Sequence, residues 1–378
     1  MNTDSKLIKQ MNFQKIHTLF YRHAVLSKPQ IAALLNLSMP TVTANIAALE
    51  QAGLIKRADT VESKGGRPAV GYTLVPDAQV AFGVEIKFDQ VRCAVVNLQG
   101  KASAVSEYPL PCTGNSSYLA NFCTIVKDYI AASGFSAKQI LGIGISVQAV
   151  VDNQGSSMIY SRILPLKKLQ ASDFAREFGY KVLLCHDVEA AASSELWHDA
   201  TLQDAIYVSI SEHLGGALIH QHALEHGKQG YAGALEHLPA GQEGRQCYCG
   251  RTDCLETYCS LSALLSRHEK LRDFFTLLRE SAHEHECHQR WLNYLNHLAQ
   301  GLYPTYQILE RDIILGGDLA PYLVPQDLLM LEEAVKRYSP FLIKEPFIHV
   351  AKVQINPALI GAALLFIRKQ REESATLN

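Results

Sequence analysis

Four residues in one short stretch of the 378-residue sequence have side chains that bind soft metal ions: His237, Cys247, Cys249 and Cys254. One histidine and three cysteines make a closed tetrahedral shell, which is typical of structural zinc sites. Gly250, next to the Cys-x-Cys pair, permits the tight backbone turn that aims both thiolates at one ion. The other six of the nine cysteines stand singly, so no paired pattern indicates a disulfide framework. The sequence therefore predicts one structural zinc ion; the alternative is a set of scattered core cysteines.

A second group of possible metal ligands lies in the run from His283 to His288, which reads HEHECH. Helical spacing would put His285 and His288 on neighbouring faces, where they could hold a second ion. Alternating acids and imidazoles are also typical of a solvated helix face. We prefer that second interpretation, so these residues are not counted as a predicted site.

Apolar residues recur at helical spacing in three segments near the N-terminus, the first of which runs from Ile8 to Tyr21. Ser27 and Ser38 are the predicted N-caps of the second and third helices, and each is followed by a proline that a first helical turn tolerates. The predicted buried residues of these two helices are Ile31, Leu34, Leu35, Val42, Ile46 and Leu49. Two short helices joined by the brief Asn36-Leu37 turn predict a helix-turn-helix.

The second helix of such a motif enters the major groove of DNA by its N-terminal residues. Its polar side then supplies the residues that contact bases or phosphates. The predicted contact residues of this helix are Ser38, Met39, Thr41, Thr43 and Asn45.

Two predicted strands, Gly53 to Arg57 and Tyr72 to Leu74, flank a basic glycine-rich loop that contains Lys64 and Arg67. Strands around such a tip form a wing, and an arginine there can enter a narrow A·T-rich minor groove. Residues 1–76 carry nine Lys/Arg against four Asp/Glu, a net charge of +5, whereas the remainder carries −7. The basic end therefore predicts a double-stranded DNA partner; a protein-docking module is the alternative.

The pattern changes after Pro76-Asp77, where short apolar strands begin to alternate with longer amphipathic helices. Three strands followed by α/β alternation, twice over, predict a two-lobed α/β domain of actin-like (ribonuclease-H-like) fold after the N-terminal winged helix-turn-helix. The predicted DNA-binding domain is residues 1–76, and the second domain is residues 78–378. Its first lobe covers about 78–187 plus a C-terminal helix at about 355–378, and its second lobe covers about 188–354 with the metal cluster.

A composition of 48% hydrophobic and 19% charged residues is typical of a soluble globular protein. No N-terminal segment has the basic-then-apolar order of a signal peptide. Apolar runs such as Leu141 to Val147 and Leu359 to Phe366 are too short to span a bilayer. We therefore expect a cytoplasmic protein with no membrane partner.

These motifs resemble the ROK family (repressor, open reading frame, kinase), in particular its winged-helix regulator branch. The zinc signature of that family is a His followed by C-x-C-G-x-x-x-C-L-E, which His237 and the segment from Cys247 to Glu256 match. Gly65-Gly66-Arg67-Pro68 and Ile314-Leu315-Gly316-Gly317 are similar to further family landmarks. The resemblance covers nearly the whole chain.

Family kinases hold a sugar with an Asn-Asp pair and a G-E-x-G-H segment, and the Asp deprotonates the attacked hydroxyl. The corresponding segments here are His186-Asp187 and Gly233-Ala234-Leu235-Glu236-His237, in which the Asn, the Glu and the second Gly are replaced. The alternative role for Asp187 is to cap the helix that starts at Val188. The ligand-binding residues that the resemblance implies are Asp187, His186, Glu236, His237 and Glu256.

The phosphate-binding loops of the kinases are poorly matched. D-x-G-G-T corresponds to the segment from Glu85 to Asp89, and G-T-G corresponds to Ser211-Glu212-His213. Glycines let backbone N–H groups approach a phosphate; Phe88 blocks that approach, and Asp89 and Glu212 add like charge. We therefore predict no kinase activity and no catalytic residues.

Together these features predict a DNA-binding transcriptional regulator, a repressor of carbohydrate-related genes that a sugar or sugar phosphate controls. Its expected partners are a double-stranded operator and further copies of the chain, as a homodimer or dimer of dimers. Two alternatives stay open: an ATP-dependent sugar kinase with an added DNA-binding domain, and a regulator that only a protein partner controls.

Overall fold

The computed structural model describes residues 2–21, 23–61, 69–281 and 286–373. Its N-terminal part contains three helices and a three-stranded antiparallel sheet in the order β1-β3-β2. These elements are α1 (Asn2–Leu19), β1 (Leu26–Ser27), α2 (Lys28–Leu35), α3 (Met39–Gln51), β2 (Ile55–Val61) and β3 (Ala69–Leu74). The chain bends by 117° between α2 and α3. The arrangement confirms the predicted winged helix-turn-helix.

Local hydrogen bonds explain where α2 and α3 begin. The Gln30 Oε1 atom accepts a hydrogen bond from the Ser27 backbone N–H at 2.8 Å, and Ser38 Oγ accepts one from the Thr41 N–H at 3.4 Å. Asn36, in the left-handed conformation with φ of 52°, ends α2 and makes the turn. Ile31 is buried as predicted, whereas Leu34 is 52% exposed because it lies at the edge of the apolar stripe of this short helix.

The first five-stranded sheet has the order β10-β7-β4-β5-β6, with β4, β7 and β10 parallel and β4, β5 and β6 antiparallel. Helices α4 and α5 pack on it, and a small hairpin, β8–β9, projects beyond it. The elements are β4 (Val80–Ile86), β5 (Gln90–Asn97), β6 (Ser106–Pro109), α4 (Ser116–Ala132), β7 (Ile140–Val147), β8 (Val150–Val151), β9 (Met158–Tyr160), α5 (Ala171–Phe178) and β10 (Val182–His186).

The second five-stranded sheet repeats this pattern in the order β13-β12-β11-β14-β15. Its first three strands in sequence are antiparallel, and β11, β14 and β15 are parallel. Its strands are β11 (Ala205–Ile210), β12 (Leu214–His220), β13 (Ala223–Glu225), β14 (Ile313–Gly316) and β15 (Ile348–Val350). The accompanying helices are α6 (Asp187–His198), α7 (Glu256–Cys259), α8 (Leu261–Leu264), α9 (Leu271–Glu280), α10 (Glu286–Leu309), α11 (Pro325–Lys336) and α12 (Pro357–Glu373). The repeat confirms the predicted two-lobed α/β architecture.

Helix α12 returns to the first sheet and packs on β4, β7 and α6. Its Gly361 lies so close to α6 that an added Cβ would overlap the carbonyl oxygen of Ala190. Glycine is therefore required there because the two helix backbones touch. Within the described residues, no single helix is long and apolar enough to cross a membrane, and only the bent pair α2–α3 passes by combined length and composition.

Candidate ligand cavity, metal cluster and nucleic-acid surface

The four predicted metal ligands come together. One ligand atom from each of His237, Cys247, Cys249 and Cys254 lies within 4.8 Å of all the others. The Cys249 and Cys254 sulfurs are 3.6 Å apart, and Cys247 Sγ is 3.8 Å from His237 Nδ1. Ligands held at about 2.3 Å from a tetrahedral centre are separated by roughly 3.8 Å. The cluster therefore has the composition and spacing to hold a metal ion.

The loop that carries this cluster is held by its own backbone and by Asp253. Gly250 adopts a φ of +91°, which makes the turn between the second and third cysteines. The Asp253 carboxylate accepts hydrogen bonds from the backbone N–H groups of Gly244 and Arg245, at 3.1 and 3.0 Å, and from the Tyr258 hydroxyl at 2.6 Å. These contacts fix the loop ends, so the thiols approach one another.

A cavity of about 280 Å³ opens between the two halves of the second domain. Hairpin β8–β9 and the residues after it form one wall, and the start of α6, the β11–β12 turn and the metal-cluster loop form the others. The polar and aromatic lining residues are Gln148, Tyr160, Ser161, Arg162, His186, Asp187, Ser209, Ser211, His213, Tyr231, Glu236, His237 and Tyr248. Of the five residues predicted to bind a ligand, all but Glu256 line this cavity.

Asp187 and His186 lie at the junction of β10 and α6. Asp187 Oδ1 is 3.3 Å from His186 Nε2 and accepts a hydrogen bond from the Val188 N–H at 2.9 Å. Both contacts use Oδ1, which leaves Oδ2 for a ligand hydroxyl. The alternative helix-capping role is corrected by the structure: α6 begins at Asp187 itself, and His186 occupies the N-cap position.

Glu236 is an unusual acid because most of its side chain, which is 14% exposed, is enclosed in the cavity wall. Burial raises the pKa of its carboxyl group to about 7. Its Oε2 atom has no hydrogen-bond partner among the described residues. A buried oxygen without a partner is costly, so a ligand that donates a hydrogen bond to it would gain free energy.

Glu256 is placed differently from our expectation. Its Oε1 lies 2.7 Å from His213 Nδ1, and its Oε2 accepts a hydrogen bond from the Leu214 N–H at 2.7 Å, so both oxygens are used within the protein. The imidazole of His213 lines the cavity in its place. Burial opposes protonation of this imidazole, but the hydrogen bond and charge of Glu256 outweigh burial and raise the pKa of His213. The only sequence signal for His213 was the departure from G-T-G.

The segment that corresponds to the first phosphate loop has no glycine pair, and Phe88 in it is 54% exposed. Glu85, just before it, is buried and forms an ion pair with Arg92 at 3.0 Å. Arg92 also pairs with Glu107 at 3.0 Å and contacts Asn356. Arg92 thus links Glu85, Glu107 and Asn356 at this end of β4.

The N-terminal turns of α3 present Ser38, Met39 and Thr43 to solvent, and Thr41 is half-buried. Asn45 corrects our prediction: it is only 4% exposed, and its Nδ2 donates a hydrogen bond to the Thr41 carbonyl at 2.8 Å. It lies on the same helical stripe as the buried Val42, so it faces inward. Two other predicted DNA contacts, Lys64 and Arg67, lie outside the described residues, as do His283 and His285.

Proteins of known sequence share this architecture, in which a winged helix-turn-helix is joined to a two-lobed α/β body with a His/Cys cluster beside its cavity. The ROK family profile matches residues 81–369, and a winged helix-turn-helix DNA-binding profile matches residues 14–56. The chain therefore belongs to the ROK family.

Among curated relatives, the xylose repressor of Caldicellulosiruptor bescii is 25% identical over 70% of this chain and 67% of its own length. The DNA-binding transcriptional dual regulator NagC of Escherichia coli is 24% identical over 69% of this chain and 65% of its own. The match thus spans about two thirds of each relative. A crystal structure of a ROK family transcriptional regulator, described as a homolog of the E. coli MLC protein, covers 97% of this chain and 98% of its own, with a TM-score of 0.75 and 17% identity. Sugar kinases are also similar to this chain.

Proposed function

We propose that this protein is a DNA-binding transcriptional regulator that represses carbohydrate-related genes, and that a sugar or sugar phosphate in the cavity controls it. The main support for the proposal is that one chain contains both an exposed recognition helix and a ROK body with Asp187 in its cavity. Relatives named as sugar repressors support the same function. A protein that binds an operator works where the chromosome is, so the expected cytoplasmic location belongs to this proposal.

The cavity suits a ligand with several hydroxyl groups. Asp187 Oδ2 and the unpartnered Oε2 of Glu236 can each accept a hydrogen bond from a hydroxyl, and the two imidazoles of His186 and His213 can donate or accept one. His237 lines the same cavity. We assign Glu256 the role of orienting His213, since both of its oxygens are used in the protein.

We propose that the protein is not a kinase. The resemblance supports this: Phe88 corresponds in sequence to a position where a phosphate cradle needs glycine, and Glu212 would bring negative charge to the second loop. The kinase alternative is favoured by the similarity to sugar kinases and by Asp187, which has the chemistry of a catalytic base. An assay of ADP release with hexoses and amino sugars distinguishes the two; turnover that Asp187→Asn abolishes would establish the kinase.

We propose zinc as the metal of the cluster because one imidazole and three thiolates are the ligands that zinc prefers in closed structural sites. The ion would join the turn at Gly250 to the short segment at His237. Since His237 also lines the cavity, the metal would hold one wall of the ligand site in place.

For DNA binding we propose Ser38, Met39, Thr41 and Thr43 on α3, together with Lys64 and Arg67 of the wing. A homodimer or dimer of dimers would place two recognition helices on a two-fold symmetric operator. The domain boundaries given above, near residues 76–78 and 187–188, belong to the same proposal.

The experiment that tests this function begins by selecting sites from random duplex DNA with the full-length protein. We expect a two-fold symmetric site, and we expect one member of a panel of xylose, glucose, N-acetylglucosamine, N-acetylmannosamine and their phosphates to weaken binding. Asp187→Asn should remove that response and leave the affinity for DNA unchanged. Failure to select any DNA sequence would contradict the proposal, and specific binding without any sugar response would favour control by a protein partner.

A further inference from the structure

Helix α6 connects two distant parts of the molecule. It begins at Asp187 in the wall of the cavity, and its penultimate residue, Trp197, is ten positions later, about 15 Å along the helix axis. Most of the helix between them is buried. The Glu195 carboxylate also accepts hydrogen bonds from the backbone N–H groups of Lys352 and Val353, at 3.0 and 2.6 Å. Burial and these hydrogen bonds anchor α6 along its length.

The side chain of Trp197 does not pack in the hydrophobic cluster that contains the buried residues of α6. Val188, Ala191 and Leu196 are buried in a cluster formed with the second sheet and α12. Of the described α6 residues, Trp197 packs against a different cluster, which joins the buried residues of the winged helix-turn-helix to Val96, Leu98 and residues of α12. Among the described residues, Trp197 is an α6 side chain that reaches the DNA-binding head, through its ring contact with Tyr21.

The contacts of the Trp197 ring are specific. Its Nε1 donates a hydrogen bond to the Gln99 carbonyl at 3.1 Å, in the turn after β5. That turn contains Gly100, where an added Cβ would overlap the indole. The Arg371 guanidinium lies 5.5 Å from the centre of a Trp197 ring, a cation–π distance. The body of the protein thus fixes the indole from two sides.

The third side of the indole faces the DNA-binding head. Tyr21, which follows α1, meets Trp197 edge-to-face with ring centroids 6.2 Å apart and an interplanar angle of 85°. Tyr21 in turn contacts His17 of α1, with centroids 5.3 Å apart. Helix α1 packs on α3, and Ile16 shares a buried cluster with the core residues of α3. Tyr21 is therefore linked to the recognition helix through the packing of α1 on α3.

We propose that Trp197 is a positioning residue for the DNA-binding head. It sets the place of α1, and through α1 that of α3, relative to a helix whose first residue lies in the ligand cavity. A displacement of the start of α6 is then transmitted to the spacing of the recognition helices in the oligomer. This inference rests on the proposed function, because it requires that the head binds DNA.

Coupling between two sites is reciprocal, so DNA itself can serve as the probe. The selected duplex, added at saturation to full-length protein, should change the hydrogen-exchange rate of the peptide that contains residues 186–196. If a coupling free energy of about 1 kcal/mol, the lower end of ordinary couplings, appears as a change in the local stability of this segment, its exchange rate changes about fivefold. In Trp197→Ala protein saturated with the same duplex, the change should vanish, whereas Trp197→Phe, which keeps an aromatic ring, should retain most of it.

The matched control is Trp291→Phe. Trp291 is also an indole packed among aromatic rings, but its neighbours are Phe275 and Tyr294 in the second half of the body. This variant should keep the DNA-induced change even where its melting temperature falls. It also leaves Trp197 as the single tryptophan, whose emission should respond to the duplex.

The possible outcomes separate the two hypotheses. Absence of any specific DNA binding would overturn the proposed function. Specific binding that leaves residues 186–196 unchanged in the wild-type protein would overturn the role of Trp197 alone, and so would a full response in Trp197→Ala. If Trp197→Ala does not fold, Tyr21→Leu removes the same aromatic contact from the other side, and an undiminished response in that variant would equally contradict the inference.

Discussion

Glu256 lies directly behind His213, with Oε1 2.7 Å from Nδ1, and it is the imidazole that reaches the cavity. The arrangement fixes the ring orientation, because a carboxylate at Nδ1 places a proton on that nitrogen. Nε2 is the ring nitrogen that Glu256 does not contact. In the proposed sugar site, Glu256 would therefore act through His213 and not by direct contact with the ligand.

This arrangement predicts different effects for two substitutions. His213→Ala should weaken binding of the sugar that the panel identifies by about 1–3 kcal/mol, since a ligand group is left without its partner. Glu256→Gln should weaken it less, because the imidazole remains but its orientation is no longer enforced. Calorimetric titration measures both, with His220→Ala as the control, an imidazole that pairs with Asp204 instead of lining the cavity. Unchanged affinity in His213→Ala would remove this residue from the site.

The metal cluster predicts about one zinc ion per chain. Cys249→Ser should abolish stoichiometric zinc and lower the melting temperature by roughly 10 °C, because metal binding energy in such a loop is folding energy. Elemental analysis and scanning calorimetry provide the measurements. Cys123→Ser is the control, since Cys123 is a half-buried cysteine of α4 outside the cluster. Purified protein without zinc, or a Cys249→Ser variant of unchanged stability, would contradict the assignment.

The structure of the recognition helix predicts that alanine substitutions of Thr43 and Asn45 have different effects on the affinity for DNA. Thr43→Ala should cost about 1–3 kcal/mol on the selected site and little on scrambled DNA, if its exposed side chain contacts a base edge. Asn45→Ala should alter binding to both DNAs by the same factor, because the Asn45 side chain is buried against Thr41. Fluorescence anisotropy with both duplexes measures this difference. A loss confined to the selected site in Asn45→Ala would mean that the helix rearranges on DNA.

The wing predicts a change in salt dependence. If Arg67 enters the minor groove as a cation, Arg67→Ala should weaken all A·T-rich sites and reduce the slope of log affinity against log salt by about 1. The measurement is a titration at several salt concentrations, with Arg57→Ala, which removes an exposed arginine paired with Glu50, as the control. An unchanged slope would place the wing away from DNA.

His17 predicts a pH dependence of stability. Burial lowers the pKa of its imidazole from 6.5 to about 4, so the folded protein keeps it neutral where the unfolded chain is protonated. The unfolded state then binds more protons between pH 4 and 6.5, and stability falls as pH decreases through this range. The difference corresponds to at most about 3 kcal/mol. In His17→Gln the loss of stability between pH 6.5 and 4, measured by denaturant unfolding, should be smaller; an identical loss would show that His17 does not contribute.

Much of the fold follows from local sequence. Strand β7 (Ile140–Val147) contains the apolar run from Leu141 to Val147, and α12, which begins at Pro357, lies within the C-terminal helix predicted at about 355–378. Apolar runs and prolines mark such limits strongly. The error at Asn45 had a visible cause. Asn45 is spaced from Val42, Ile46 and Leu49 by three, one and four residues, which places all four on one face of the helix. The spacing therefore predicts that Asn45 is buried. We predicted a DNA contact because its side chain is polar.

The cavity was predictable only in part. The residues at motif positions, such as Asp187, were found because the motif itself is local. Tyr160, Arg162 and Tyr248 were missed, since hairpin β8–β9 is too short to give a periodic signal and meets the metal loop only through tertiary folding. The sequence showed His213 only as a departure from the G-T-G motif. No local pattern indicates that the carboxylate of Glu256, 43 residues later, contacts its imidazole.

Helix α12, whose Gly361 contacts the backbone of Ala190, is made late in translation, and this affects when the fold can be completed. Helix α12 covers β4 and adds Ile360 and Phe366 to the cluster that contains the head, yet it follows β4 by about 270 residues. At roughly 5–20 residues per second, a ribosome needs about 15–50 s to make that intervening chain. During this interval α12 does not yet pack on β4 and the head. The apolar residues that α12 later buries are therefore exposed in the nascent chain and could aggregate. The complete head–body unit therefore assembles late in translation.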